Sequence, residues 1–183
     1  NGVGMTSLNV RGDVYSPSKI TDTGLWYVAD LTQLTSMMLC GDDCKITDTG
    51  LENVAQLTRL TRVKLDNCGK ITDTGLENVA QLTQITSLNL SVDEDFPSKI
   101  TDTWLDHVAQ LMQLTSLTLG DYDCMTKPMG LSSELHFTML TSIKLQHLVH
   151  ITYPCIEHDD QLHALNSLTS DTCPITTTTV TVS

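Results

Sequence analysis

The residues of this chain best suited to chemistry are His147, His150, Cys155 and His158, spaced as His-x-x-His-x4-Cys-x-x-His. Imidazole and thiolate are ligand types that zinc prefers, and the intervals are short enough for four side chains to converge on one ion. The spacing matches no established zinc signature. In the register of the repeats described below, these residues fall on surface positions of a decayed unit, so they stand as a candidate only and no metal is assigned. Oxygen-rich chemistry is offered by Asp42-Asp43 and Asp93-Glu94-Asp95, but neither run has the spaced ligands and glycine turn of a calcium loop, and solvated charge is the expectation. There is no Gly-x-Ser-x-Gly elbow, phosphate-binding glycine loop or His-Glu-x-x-His pair. The expectation is a protein that is not an enzyme and carries no cofactor. Asn89-Leu90-Ser91 is a glycosylation sequon that lies inside a predicted strand.

Bulk properties narrow the partners. With 183 residues, 40% hydrophobic and 17% charged, the chain can bury one core. Its 22 acidic and 10 basic side chains give a net charge of -12, which repels phosphate backbones and argues against nucleic acid. No apolar run approaches the roughly 18 residues of a spanning helix, so no membrane role is expected. Six cysteines without a Cys-x-x-Cys pair make reduced structural thiols the default and leave the compartment open. The start, Asn1-Gly2-Val3-Gly4, has no initiator methionine, signal peptide or lipidation motif, and the chain is read as a processed product or a fragment. Threonine occurs 28 times against eight aromatics, a bias that suggests repetition.

The repetition is explicit. Lys-Ile-Thr-Asp-Thr begins at Lys19, Lys45, Lys70 and Lys99, and residues 45–58 and 70–83 are identical. An apolar-x-x-apolar-x-apolar motif ends each unit, centred on Leu8, Met37, Val63, Leu88, Leu117, Ile143 and Leu168, at intervals of 29, 26, 25, 29, 26 and 25 residues. A shift of 80 residues superposes Pro17 on Pro97, Lys19 on Lys99 and Cys44 on Cys124, so a three-unit block was duplicated whole. Within a unit, alternation such as Val63-Lys64-Leu65 predicts a short strand with one face buried. Thr47 or Asp48 is suited to cap the helical turn that follows. Leu51, Val54 and Ala55 then share one helical face, with Glu52, Asn53 and Gln56 opposite. A single unit of about 26 residues cannot cover its own apolar stripe, so units must stack, strand beside strand and helix beside helix.

These residues carry a family resemblance. Ile-Thr-Asp-x-Gly-Leu, followed by the Leu-x-x-Leu-x-Leu strand motif and by the junction Leu65-Asp-Asn-Cys68, is similar to the cysteine-containing subclass of leucine-rich repeat proteins, over roughly residues 5 to 170. Cys44 and Cys124 sit one register later, and the junctions after Leu90 and Leu145 lack the cysteine. The resemblance implies a right-handed α/β solenoid, a horseshoe with about seven parallel concave strands and convex helices. The domain reading is a partial N-terminal repeat with a long loop over 1–18, repeats over 19–171, and a Thr-rich tail or capping strand over 172–183. Apolar Met5, Leu8 and Val10 need cover at the first unit, either from a longer parent chain or by self-association with another copy.

On such a fold, the positions that alternate with the apolar motif form an open face. One row holds Ser7, Ser36, Arg62, Ser87, Ser116, Ser142 and Ser167. The middle row holds Asn9, Met38, Lys64, Asn89, Thr118, Lys144 and Thr169, and the third Arg11, Cys40, Asp66, Ser91, Gly120, Gln146 and Asp171. Four basic and two acidic residues give this face a formal +2 on a chain of -12, which favours a negative or polar ligand around Arg62, Lys64 and Asn89. Short Ser and Thr side chains are also simply good solvated strand residues. Trp26 and Tyr27 stand where sibling repeats have Glu52 and Asn53, offering an aromatic contact unless the loop containing Tyr15 and Pro17 shields them. The expected function is a protein-binding scaffold working through Met38, Arg62, Lys64, Asn89, Thr118 and Lys144 and the adjacent loops. The alternatives are a substrate-recognition fragment of a ubiquitin ligase, a role the resemblance brings in, and a secreted or cell-surface recognition protein.

Overall fold

Short runs in which apolar and polar residues alternate recur along the chain and form strands, and in Ser36–Cys40, Arg62–Asp66 and Ser87–Ser91 buried and accessible side chains alternate strictly. The structure, a computed structural model, describes residues 4–12, 15, 19–41, 44–91, 99–100, 107–120, 139–146 and 167–170. The strands are β1 (Ser7–Arg11), β2 (Ser36–Cys40), β3 (Arg62–Asp66), β4 (Ser87–Ser91), β5 (Ser116–Gly120), β6 (Ser142–Gln146) and β7 (Ser167–Ser170). They lie parallel and in sequence order in one sheet. Between successive early strands run helices α1 (Asp22–Val28), α2 (Asp48–Val54) and α3 (Asp73–Ala80), with α1 against α2 and α2 against α3. The described residues therefore form an α/β stack in which each coil contributes one strand and the first three coils also a helix.

Register follows the apolar motif. Leu8, Met37, Val63, Leu88 and Leu117 are successive Cα partners, as are Val10, Leu39, Leu65, Leu90 and Leu119. Behind the sheet the core continues in columns: Leu34, Leu60, Ile85, Leu114 and Leu140; Leu25, Leu51 and Leu76; Val54, Val79 and Val108; Leu57, Leu82 and Leu111, all buried. Burial of each such side chain contributes about 1.5–3 kcal/mol, and a stack repeats that gain at every coil. At the first strand Leu8 and Val10 are only partly buried, and Met5 is 52% exposed.

Two polar ladders tie the coils together. The carbonyl of Thr6 accepts the amides of Thr35 and Ser36 and the hydroxyl of Thr35, at 2.8, 3.2 and 3.1 Å. Thr35 offers its carbonyl to Thr61 and Arg62 in the same way, and the pattern continues through Thr61, Thr86 and Thr115 to Thr141. This column accounts for the threonine at the head of each strand from β1 to β6.

The second ladder joins the helix starts. Thr47 and Thr72 cap their own helices, each Oγ1 accepting the amide two residues on at 3.3 Å. Of the two caps the sequence left open, threonine is the one used. Asp48 points away, to the next coil: its Oδ1 accepts the Thr72 amide at 2.8 Å and its Oδ2 the Thr72 hydroxyl at 2.7 Å. Asp22 does the same for Thr47 at 2.9 and 2.7 Å. The carboxylate fits only because the following coil has glycine there. A Cβ on Gly50 would overlap Asp22 Oδ1, and one on Gly75 would overlap Asp48 Oδ1.

Asp48→Ala is expected to destabilise the protein by about 1.5–3 kcal/mol, the range for hydrogen bonds to a charged group, and Asp48→Asn by about half as much. Gly50→Ala should cost about 1–3 kcal/mol by displacing the Asp22 carboxylate, and that cost should shrink when Asp22 is also alanine. Urea unfolding of these variants measures both effects.

Candidate functional site

The strand residues that do not enter the core form the candidate surface. Asn9, Met38, Lys64, Asn89, Thr118 and Lys144 are consecutive Cα partners across β1 to β6, one unbroken row. Arg62 lies in the adjacent row, between Ser36 and Ser87. In β2 to β4 these outward positions are half-buried or exposed while their neighbours in sequence are buried, so this face is open along the sheet.

The row is a set of lateral contacts rather than a line of independent groups. Arg11 Nε donates to Asn9 Oδ1 at 3.3 Å, and its Nη2 reaches Met38 Sδ at 3.4 Å. Lys64 Nζ pairs with Asp66 Oδ2 at 3.0 Å, each side chain about a third exposed. The Ser91 hydroxyl donates to the other oxygen of Asp66 and lies 3.2 Å from Asn89 Oδ1. Lys64 is thus not the unopposed cation that the summed charge suggested. Residues two apart in a strand share a face, so the Lys64-Asp66 pairing was within reach of the sequence. A pair this accessible adds about 0–1 kcal/mol, but it spends the local charge. Arg62 is exposed and, among the described residues, has no side-chain partner. Its guanidinium is the open positive charge at the centre of the face.

Cys40 stands at the end of β2, opposite Asp66. Burial pushes its thiol up from the ordinary 9.0 to about 11; the Asp66 carboxylate adds to the rise, and Lys64 and Arg11 work against it. Such a thiol is a poor nucleophile, and it does not turn the face into a catalytic one.

Trp26 and Tyr27 project from α1 and meet edge to face, with centroids 4.8 Å apart at 77°. They are 59% and 63% exposed, and Tyr15 is 97% exposed. Pro17 and most of the loop expected to shield Trp26 lie outside the described residues. The pair forms an aromatic patch on the helical side, away from the open sheet. The candidate ligands His147, His150, Cys155 and His158 lie outside the described residues, as do Asp42-Asp43, Asp93-Glu94-Asp95 and the segment from 171 onward. Among the described residues no group of three or more His, Cys, Asp or Glu is placed to hold a metal ion, and no helix is long and apolar enough to cross a membrane. No protein-family model matches the chain, and no curated protein matches it.

With its pKa near 11, Cys40 should react with iodoacetamide at pH 8 about a hundredfold more slowly than an ordinary exposed thiol, because two pKa units remove that fraction of thiolate. Asp66→Asn removes one cause of the rise and should speed the reaction. Timed alkylation with peptide mass mapping reads both.

Proposed function

We propose that the chain is a leucine-rich-repeat-type solenoid, a right-handed horseshoe of about seven concave strands, acting as a non-enzymatic scaffold that binds another protein through its concave sheet. The observation that carries this reading is the unbroken outward row from Asn9 to Lys144, open to solvent, with Arg62 exposed beside it and without a side-chain partner among the described residues. A rigid sheet presents its side chains with little ordering left to lose on binding, which favours recognition by many small contacts. The face mixes hydroxyl, amide, thioether and guanidinium groups, a composition suited to a polar or acidic protein surface. Electrostatics support the same direction, since a locally positive face on a chain of -12 steers an acidic partner toward one side. Exposed Trp26 and Tyr27 supply an additional anchor type on the helical side.

The test is affinity capture from a lysate of the native cells, using the wild-type chain beside an Arg62→Glu, Lys64→Glu variant, with circular dichroism confirming that the variant is folded. Loss of at least one captured protein from the variant is the expected result. Identical capture by both chains would remove the concave face as the binding surface. Because Arg62 is exposed whereas Lys64 is held by Asp66, Arg62→Glu alone should cause most of the loss.

A further inference from the structure

Cys44 and Cys68 belong to successive coils, each in the connection between a strand and its helix: Cys44 between β2 and α2, Cys68 between β3 and α3. Both are buried, 5% exposed each, and both are free thiols in this structure. Their sulfurs are 2.7 Å apart. A covalent S–S bond measures about 2.05 Å, so a bond needs a closing movement of a fraction of an ångström and no change of fold. The pair is not a by-product of the duplication. The shift of 80 residues that carries Cys44 onto Cys124 carries Cys68 onto Leu148. The two thiols are also unlike. A hydrogen bond from Cys68 favours the thiolate of Cys44 and lowers its pKa, helped by the charge of Lys70, whereas the same contact and burial push Cys68 up.

We propose that Cys44 and Cys68 are a modification site: a disulfide oxidant of the oxidised-glutathione class converts them to a cross-link that clamps two neighbouring coils. The Cys44 thiolate attacks the oxidant, forming a mixed disulfide and expelling one glutathione thiolate. The Cys68 sulfur, giving up its proton, then attacks Cys44 Sγ and expels the second. Two electrons pass to the oxidant, and the two protons lost by the cysteines end on the two glutathiones. The bridge closes a loop over residues 45–67, which holds all of α2 and β3, so it constrains the unfolded chain as well as joining the coils.

The test refolds reduced wild-type chain in a glutathione redox buffer, quenches with iodoacetamide and maps peptides without reductant. A linked peptide pair containing Cys44 and Cys68 is expected, with a thermal midpoint about 5–10 °C above that of the reduced protein and reversal by dithiothreitol. The midpoint of Cys68→Ala should not respond to the buffer. Alkylation of both thiols, a bridge from either to another of the six cysteines, or a Cys44–Cys68 link without a rise in midpoint would each overturn the proposal.

Discussion

The structure depends on one backbone carbonyl per coil. The threonine at the head of each of β1 to β5 offers its oxygen to three donors of the next coil, two amides and a hydroxyl. Three donors on one acceptor leave no freedom to slide. A slip of one residue would turn Met37, Val63, Leu88 and Leu117 from the core to the solvent, because side chains alternate with a period of two. The threonine column thus does for register what the leucines alone cannot, since an apolar side chain is indifferent to which apolar neighbour it meets. At the far side of the first three coils the Asp-to-Thr contacts repeat the restraint, so that there strand and helix are each pinned to their counterparts.

Much of this was legible because the chain repeats itself. The intervals between Leu8, Met37, Val63, Leu88 and Leu117 predict the adjacent rungs that the strands form. The row containing Met38, Lys64 and Asn89 then follows from alternation. What repetition hides is direction between copies. Asp48 looks, within its own unit, like a second capping residue, and nothing local says that its carboxylate serves Thr72 instead of Thr49. Gly50 and Gly75 read as ordinary loop or helix-start glycines until the carboxylate of the preceding coil is seen beside them. Unequal connections obscure another contact: Cys44 follows the end of β2 by four positions and Cys68 the end of β3 by two. Only the three-dimensional path brings their sulfurs together. Charge summed over a face does not say where that charge sits: Lys64 is matched by Asp66 two residues on, and the positive charge at the centre of the face is that of Arg62.

The two sides of the sheet answer to different rules. Its inner side tolerates only apolar groups of similar volume, and the columns vary little: leucine, isoleucine, valine, one methionine. Its outer side is restrained only by solubility and by contacts such as those of Arg11 and Ser91, so substitutions there leave the core untouched. Surface chemistry and folding are decoupled, and a sheet of this kind can be re-lettered on one face without a change of shape. That separation is why the groups with chemical individuality, Arg62, Lys64, Asn89 and Met38, gather on the outward rows.

The identical segments 45–58 and 70–83 meet the coil behind them through the same parts: a threonine, Thr47 or Thr72, that donates to the aspartate of that coil, and a glycine, Gly50 or Gly75, that leaves room for its carboxylate. Every joint between such segments is therefore the same joint. A gene that gains or loses one by unequal exchange closes its new boundary with contacts already in use. The chain can lengthen by copying before any selection acts on the copy. Novelty then arrives later, on the outer rows, where the copies are free to diverge.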